Sequence, residues 1–241
     1  MRDGAAGGHR RALIEVRALA RVYRQGEVEI HALRGVDLEV AEGEFTALAG
    51  PSGSGKTTLL NIIGGLDHPT SGSVRVDGQD ISRLRKGQAA DFRLGSVGFI
   101  FQAYNLIPVL TAYENAEFTL LLRGAAARER RRTVVPLLQR VGLGEMMDRK
   151  PHELSGGQQQ RVAVVRALAT RPRIVLADEP TANLDSHASA ELLDLMLELN
   201  GELGTTFLFS THDPVVIQRA RRLVELLDGR VDNSRLQPPA A

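Results

Sequence analysis

The chain has 241 residues, of which 43% are hydrophobic and 24% are charged. These values are typical of a globular protein that buries a substantial core. Thirty basic and 29 acidic side chains give a formal charge of +1, and only 4% of the residues are aromatic. That balance argues against electrostatic attraction to nucleic acid and against base-stacking platforms, so we expect no nucleic-acid partner. Cysteine is absent, which excludes disulfides and thiol catalysis and fits a cytosolic protein.

The two ends of the chain are expected to be disordered tails, at residues 1–11 and 233–241. Residues 1–11 lack the apolar core of a signal peptide. No run in the sequence approaches the roughly eighteen consecutive apolar residues that a membrane span needs. We expect residues 12–232 to form one large domain, or a domain with a subdomain, and to contain no membrane span.

Strand and helix patterns alternate along the chain. Residues 13–16, 29–33 and 36–40 are strand patterns that predict an antiparallel β-subdomain near the N-terminus. Later strand patterns at residues 174–178 and 206–210 are separated by a helical pattern. Such alternation predicts a parallel sheet covered by helices on both faces, so the fold class is α/β.

A glycine-rich loop lies between a strand pattern at residues 45–49 and a helical pattern that starts near residue 59. It fits the template G-x-x-x-x-G-K-[ST] with Gly50, Pro51, Ser52, Gly53, Ser54, Gly55, Lys56, Thr57 and Thr58. Glycines let backbone N–H groups point at a phosphate, where the helix N-terminus adds a favourable dipole. Lys56 is expected to reach the β- and γ-phosphates, and the Thr57 hydroxyl to ligate Mg²⁺. A chance glycine turn is the alternative, but the strand–loop–helix context favours a nucleoside triphosphate site.

Two acids, Asp178 and Glu179, end the buried-strand pattern that starts at residue 173. In a parallel sheet the ligand site lies beyond the carboxyl ends of the strands. Asp178 is therefore expected to face the Mg²⁺ held by the phosphate loop, and Glu179 to polarise the water that attacks the γ-phosphate. Alone, two such acids could form a solvated turn; after a phosphate loop they predict a hydrolytic site.

Residues 154–158 read Leu-Ser-Gly-Gly-Gln, which is the signature of ATP-binding-cassette proteins, and the chain resembles this family over about residues 12–232. The family's other motifs follow in the same order. The resemblance implies that Tyr23 stacks on adenine and that Gln102 approaches Mg²⁺ and the attacking water. It also implies that Asp185, in the D-loop, contacts the nucleotide and that His212 contacts the γ-phosphate and the catalytic Glu179. It also implies a helical insert at about residues 103–160.

The signature forms a second anion cradle in this family. Ser155 precedes a helical pattern at residues 157–169, where its hydroxyl can cap the helix, and Gly156 and Gly157 leave N–H groups uncovered. Gln158 completes the motif. The resemblance implies that the signature of one subunit faces the phosphate loop of another, so that a homodimer sandwiches two ATP molecules.

Three further segments resemble the lipoprotein-releasing and macrolide-export class: residues 61–72, 98–108 and 111–115. The resemblance implies a peripheral ATPase on the cytoplasmic face of the membrane that powers a separate integral membrane permease. The ATPase of a solute importer and that of the related cell-division permease complex remain alternatives. A chromosome-maintenance ATPase would need a long coiled coil between Gln102 and Leu154, and that interval is short.

Two segments bear on the permease partner. The segment after Gln102 offers apolar residues for contact, namely Tyr104, Leu106 and Leu110. Residues 128–132 form a dense, mostly arginine charge run, which could face anionic lipid or a permease. We interpret this run as a solvated loop and helix start, which is the commoner role of such runs.

Overall fold

A six-stranded sheet forms the centre of the fold. The computed structural model describes residues 11–237, apart from the side chains of Gln25 and Val215. In spatial order its strands are β10 (Arg230–Leu236), β9 (Arg222–Leu227), β3 (Phe45–Ala49), β8 (Thr206–Thr211), β7 (Ile174–Asp178) and β6 (Val97–Phe101). The strands from β9 to β6 pair in parallel, and β10 pairs antiparallel with β9 at one edge. The predicted parallel sheet is confirmed.

Strands β3 and β8 are buried along their whole length. Both faces of a parallel sheet are covered, so its central strands are apolar throughout rather than alternating. Phe45 of β3 packs against Phe207 and Phe209 of β8, with 4.5 Å between the ring centroids of Phe45 and Phe209. This aromatic block fixes the two strands whose carboxyl ends carry candidate site residues.

An antiparallel sheet of four strands forms a second layer. In spatial order its strands are β2 (Val28–Ala41), β1 (Ala12–Gln25), β4 (Ser71–Val76) and β5 (Gln79–Asp80). The strand patterns at residues 29–33 and 36–40 belong to the single strand β2, because its pairing with β1 continues through irregular registers. The predicted N-terminal antiparallel sheet is therefore present, with longer strands than the patterns suggested.

Helices connect the strands. They are α1 (Lys56–Ile63), α2 (Lys86–Ser96), α3 (Ala112–Leu122), α4 (Ala127–Arg140), α5 (Gly156–Leu168), α6 (Ser186–Leu203) and α7 (Pro214–Arg219), with short 3₁₀ turns at Gly144–Met146 and Pro151–Glu153. Helix α3 begins with the expected capping box, in which the Glu114 amide donates to the Thr111 hydroxyl and the Thr111 amide donates to the Glu114 carboxylate. Within residues 11–237 no helix is both long and apolar enough to cross a bilayer.

Helices α3, α4 and the facing side of α5 share a hydrophobic cluster of their own, which includes Ala116, Leu138 and Val162. Helix α5 also packs on strand β6, where a Cβ added at Gly98 would lie 2.5 Å from the Ala167 carbonyl oxygen. Because α5 is continuous from Gly156 to Leu168, the helical part of the chain extends past residue 160. One helix therefore joins the helical cluster to the central sheet.

The two predicted terminal tails lie partly outside the described residues, and part of the C-terminal one is ordered. Residues 1–10 and 238–241 lie outside the described residues. Residues 233–236, which were expected to be disordered, belong to strand β10, so that boundary is wrong. The side chains of β10 are mostly exposed, and its order comes from backbone pairing with β9 rather than from an apolar pattern. A polar edge strand of this kind gives no hydrophobic signal in the sequence.

The arginine-rich run at residues 128–132 lies at the start of α4. The Arg130 guanidinium donates to the Glu117 carboxylate of α3 across 2.8 Å, and these side chains are only 16% and 12% exposed. Arg128, Arg131 and Arg132 are exposed. The interpretation of the run as solvated is thus wrong for Arg130, because a partner 13 residues earlier in the chain draws it inward.

We predict that Arg130→Met lowers the free energy of unfolding by about 2 kcal/mol, because it leaves the largely buried Glu117 carboxylate without its cation. Arg131→Met is the matched control and should change stability by less than about 0.5 kcal/mol. Denaturant unfolding measures both. Equal stability of the two variants would show that the Arg130–Glu117 ion pair does not contribute to the free energy of unfolding.

Candidate functional site

The phosphate-loop residues connect β3 to α1, and packing around the loop requires glycine at two positions. A Cβ at Gly50 would lie 2.1 Å from the Leu226 carbonyl oxygen. Gly55 has a φ of 103°, and a Cβ there would lie 2.5 Å from the Ala32 carbonyl oxygen. Among residues 11–237 no side chain caps the N-terminus of α1, so its first N–H groups stay available to an anion. The loop is a cradle that side chains would fill.

Lys56 lies across the mouth of this cradle. Its ammonium group donates to the carbonyl oxygens of Gly50 at 2.7 Å and Pro51 at 2.9 Å, and the residue is 7% exposed. These contacts hold a positive charge at the start of the loop, where the sequence analysis placed the phosphates. The expected reach of Lys56 to the β- and γ-phosphates stays a prediction.

Asp178, the last residue of β7, lies opposite the loop. Its Oδ1 accepts hydrogen bonds from the Thr57 hydroxyl at 3.1 Å and from the Ser210 hydroxyl. Ser210 lies beside Asp178 because β7 and β8 are neighbouring parallel strands, and the sequence analysis gave it no role. Its position at a strand end, between apolar residues and the histidine motif, was the available signal.

This group fits Mg²⁺. Hydroxyl and carboxylate oxygens are ligands that Mg²⁺ accepts, and the ion is commonly held by one or two carboxylates together with substrate phosphates. Among residues 11–237 no three His, Cys, Asp or Glu side chains are grouped as a metal cage. The Thr57–Asp178 pair beside the phosphate loop is therefore suited to a nucleotide-bound ion rather than to a metal held by protein alone.

Glu179 follows Asp178 in the left-handed backbone region, with a φ of 48°. Its Oε1 lies 2.8 Å from Nδ1 of His212, and its side chain is 15% exposed. Among the described residues, Glu179 Oε2 is buried and has no hydrogen-bond partner. An unpaired buried carboxylate oxygen is costly, and a water or substrate group would satisfy it.

The loop, Glu179 and His212 share one cavity of about 570 Å³, and Asp178 is not among the residues that line it. Its lining comprises Ile30, His31, Ala32, Pro51, Ser52, Gly53, Gly55, Lys56, Thr57, Thr58, Gln102, Glu179 and His212. The three residues expected to be catalytic, Gln102, Glu179 and His212, are thus brought together beside the loop. Ile30, His31 and Ala32 of β2 were missed; Ile30 is an exposed apolar side chain, but its sequence pattern is that of an ordinary strand.

Tyr23 is not among the residues that line this cavity. Its hydroxyl donates to the Asp67 carboxylate across 2.7 Å, and the Arg21 guanidinium lies over its ring at 4.4 Å from the centroid. The structure therefore places Tyr23 in a polar cluster on β1. Stacking of Tyr23 on adenine stays a prediction.

The signature residues lie elsewhere in the chain. Ser155 caps α5: its hydroxyl accepts from the Gln158 amide at 3.3 Å, and the Gln158 side chain accepts from the Ser155 amide at 2.9 Å. Ser155, Gly157 and Gln158 line a cavity of about 240 Å³ that shares no residue with the phosphate-loop cavity. Within one chain the two predicted anion cradles are separate.

Asp185 also serves a helix. Its carboxylate accepts from the Ala188 amide at 2.9 Å and so caps α6. It lines neither of the two cavities described above. The structure thus gives Asp185 a local role, and its expected contact with nucleotide stays a prediction.

The chain is similar in sequence to a known protein family and to named proteins. The protein-family model described as ABC transporter matches residues 33–182. The lipoprotein-releasing system ATP-binding protein LolD of Anaeromyxobacter dehalogenans is 51% identical over 219 residues, which are 90% of this chain and 92% of that protein. The macrolide export ATP-binding/permease protein MacB of Syntrophobacter fumaroxidans is 49% identical over 222 residues, or 91% of this chain; the chain spans only 31% of that longer protein.

The fold of the chain is also similar to that of a solved structure. The dimeric post-hydrolysis state of the ATP-binding cassette MJ0796, bound to ADP and Pi, is 43% identical, with a TM-score of 0.86 over 92% of this chain and 98% of that one. The chain belongs to the ABC transporter family. It is an ATP-binding subunit and an ATPase, homologous to the LolD and MacB proteins.

Proposed function

We propose that each residue group in the phosphate-loop cavity has a defined part in ATP hydrolysis. Phosphoryl transfer depends mainly on positioning and on stabilising the developing charge. The loop and Lys56 hold the β- and γ-phosphates. Glu179 orients the attacking water with its unpaired oxygen, and His212 fixes the carboxylate through the 2.8 Å contact. The buried, unpaired Oε2 beside the loop is the observation that carries this assignment.

Thr57, Asp178 and Gln102 would hold Mg²⁺. When bound, the ion supplies positive charge beside the phosphate oxygens. Ser210 contributes by donating to Asp178, which orients that carboxylate toward the Thr57 hydroxyl. These residues would supply part of the ligands of the ion, and the nucleotide would supply the rest.

We further propose that the working unit is a head-to-tail homodimer. The two anion cradles of one chain lie in separate cavities, so each would be completed by the opposite cradle of a second copy. A closed two-fold arrangement completes both sites at once. The similar cassette MJ0796 is described as dimeric with ADP and Pi bound, which supports this arrangement.

Glu179→Gln should retain ATP binding while turnover falls by about 100-fold or more, roughly 3 kcal/mol of barrier. The amide cannot orient and polarise the water as the carboxylate does. Glu145→Gln, at an exposed glutamate outside the cavity, is the matched control and should retain turnover. Phosphate release by the purified chain measures both, and normal turnover of Glu179→Gln would overturn the assignment.

The transport role follows from the relatives. LolD is named for lipoprotein release, and MacB is named as a joined ATP-binding and permease protein of macrolide export. We propose that this chain powers a permease of that class while lying peripherally on the cytoplasmic face of the membrane. We propose that the permease is a separate polypeptide, because the similar LolD is named as the ATP-binding protein of a lipoprotein-releasing system.

The permease would dock in a groove of about 530 Å³ between α2, β6, α3 and α5. Its lining is mostly apolar and includes Phe101, Phe118 and Leu122, with Arg93 at its wall. The groove begins at Phe101, next to Gln102. Of the apolar residues expected to contact the permease, Leu106 instead packs into the helical cluster. We propose that an amphipathic helix of the permease, with an acidic residue facing Arg93, occupies this groove.

Leu122→Glu should abolish binding of the purified chain to membranes from its own organism, because it puts a charge in the apolar groove. Leu122 is 59% exposed, so the substitution should not disturb the core. Leu203→Glu is the matched control at an exposed leucine of α6 outside the groove. Sedimentation with membranes measures binding; equal binding of the two variants would contradict docking in the groove.

A further inference from the structure

The backbone just beyond Gln102 is held in an unusual conformation. Tyr104 and Asn105 are consecutive residues with φ values of 58° and 50°. The left-handed region is unfavourable for residues other than glycine, more so for tyrosine than for asparagine. Such residues persist where the surroundings hold them, and they cluster at sites that depend on a fixed geometry. The segment that leaves Gln102 is therefore held under strain.

Arg166 of α5 is the group that holds it. Its guanidinium donates to the Tyr104 carbonyl oxygen at 2.7 Å and to the Asn105 carbonyl oxygen at 2.5 Å. Burial lowers the pKa of the Arg166 guanidinium, because its charge is partly desolvated. A planar fork with several donors can hold two successive carbonyls, which a lysine ammonium matches poorly.

The Tyr104 side chain reaches the opposite end of the same helix. A Cβ added at Gly156 would lie 2.8 Å from the Tyr104 hydroxyl oxygen, so the phenol lies directly on the first residue of α5. Gly156 belongs to the signature and Arg166 lies ten residues further along α5. The segment after Gln102 therefore contacts α5 at its signature end and again about 15 Å along its axis.

The backbone of Gln102 is also held by a residue from the segment after Glu179. The Asn183 side chain donates to the Gln102 carbonyl oxygen at 2.8 Å. The residue is thus fixed between the segment that follows Glu179 and the segment that Arg166 holds. A shift of α5 relative to the central sheet would move the backbone at Tyr104 and so change the position of Gln102 in the phosphate-loop cavity.

We propose that Arg166, Tyr104 and Asn105 form a clasp through which the signature helix α5 sets the position of Gln102 for ATP hydrolysis. This inference rests on the proposed function of Gln102 and of the signature. Arg166 acts as a positioning residue, since it reaches Gln102 only through the backbone. Through the clasp, a movement of α5 when its signature engages a second subunit would also move Gln102 in the phosphate-loop cavity.

Arg123 provides a matched control. Its guanidinium donates to the carbonyl oxygens of Leu94 at 2.8 Å, Gly95 at 2.7 Å and Thr170 at 3.0 Å, and burial lowers its pKa as well. It joins the end of α3 to the far ends of α2 and α5, away from Gln102. Loss of Arg123 should therefore cost stability without changing the position of Gln102.

The experiment compares Arg166→Met, Arg166→Lys and Arg123→Met in the full chain. For each variant we would measure the melting temperature, the affinity for a non-hydrolysable ATP analogue by calorimetry, and kcat and KM of hydrolysis. We expect kcat of Arg166→Met to fall by about 10- to 100-fold, as for other small misplacements, with nucleotide affinity unchanged. Arg166→Lys should recover part of kcat, and Arg123→Met should retain kcat even where its melting temperature falls.

Tyr104→Asn tests the contact of the Tyr104 ring with Gly156. It also keeps the proposal testable if Arg166→Met fails to fold. Asparagine accepts the left-handed conformation and removes the ring from Gly156, so kcat should fall while the melting temperature holds. The clasp is overturned if kcat of the Arg166 and Tyr104 variants stays at the level of Arg123→Met, or if affinity and kcat fall together. Failure of the proposed function of Gln102 is recognised separately, because Gln102→Ala would then keep its turnover with Arg166 intact.

Discussion

The parallel pairing of β7 and β8 beside β3 is the constraint on which the site depends. Parallel strands end at the same edge, so this pairing brings Asp178, Glu179 and Ser210 together over the loop that follows β3. The aromatic block of β3 and β8 holds the register. A shift of one residue in this register would separate Asp178 from Thr57 and leave the loop without its acidic partner.

Helix α5 is the second constraint, because it belongs to two packing units. One face packs in the helical cluster with α3 and α4, and another packs on β6. Its N-terminus carries the signature, and Arg166 in its last turn holds the segment after Gln102. The apolar groove proposed for the permease lies against the same helix. Nucleotide, second subunit and permease would therefore all act on one rigid element.

Much of this site could be predicted from sequence because its motifs are local. The phosphate loop, the acids that end β7 and the Ser155 cap each depend on neighbours within a few residues, and parallel topology then brings the first two together. Contacts between distant residues could not be predicted. Tyr23 meets Asp67, and Arg166 meets carbonyls about sixty residues earlier, through packing that no local pattern encodes. The edge strand β10 was missed because backbone pairing stabilises it.

The central claim is that one ATP site needs two chains, and mixing two inactive variants tests it directly. In a Glu179→Gln background, Lys56→Ala breaks the phosphate loop and Ser155→Arg breaks the signature, so neither variant alone should retain ATP through rapid desalting. A mixed dimer places both defects in one site and leaves the other intact. We predict that each mixed dimer retains one ATP. Retention by Ser155→Arg alone, or none in the mixture, would contradict the two-chain site.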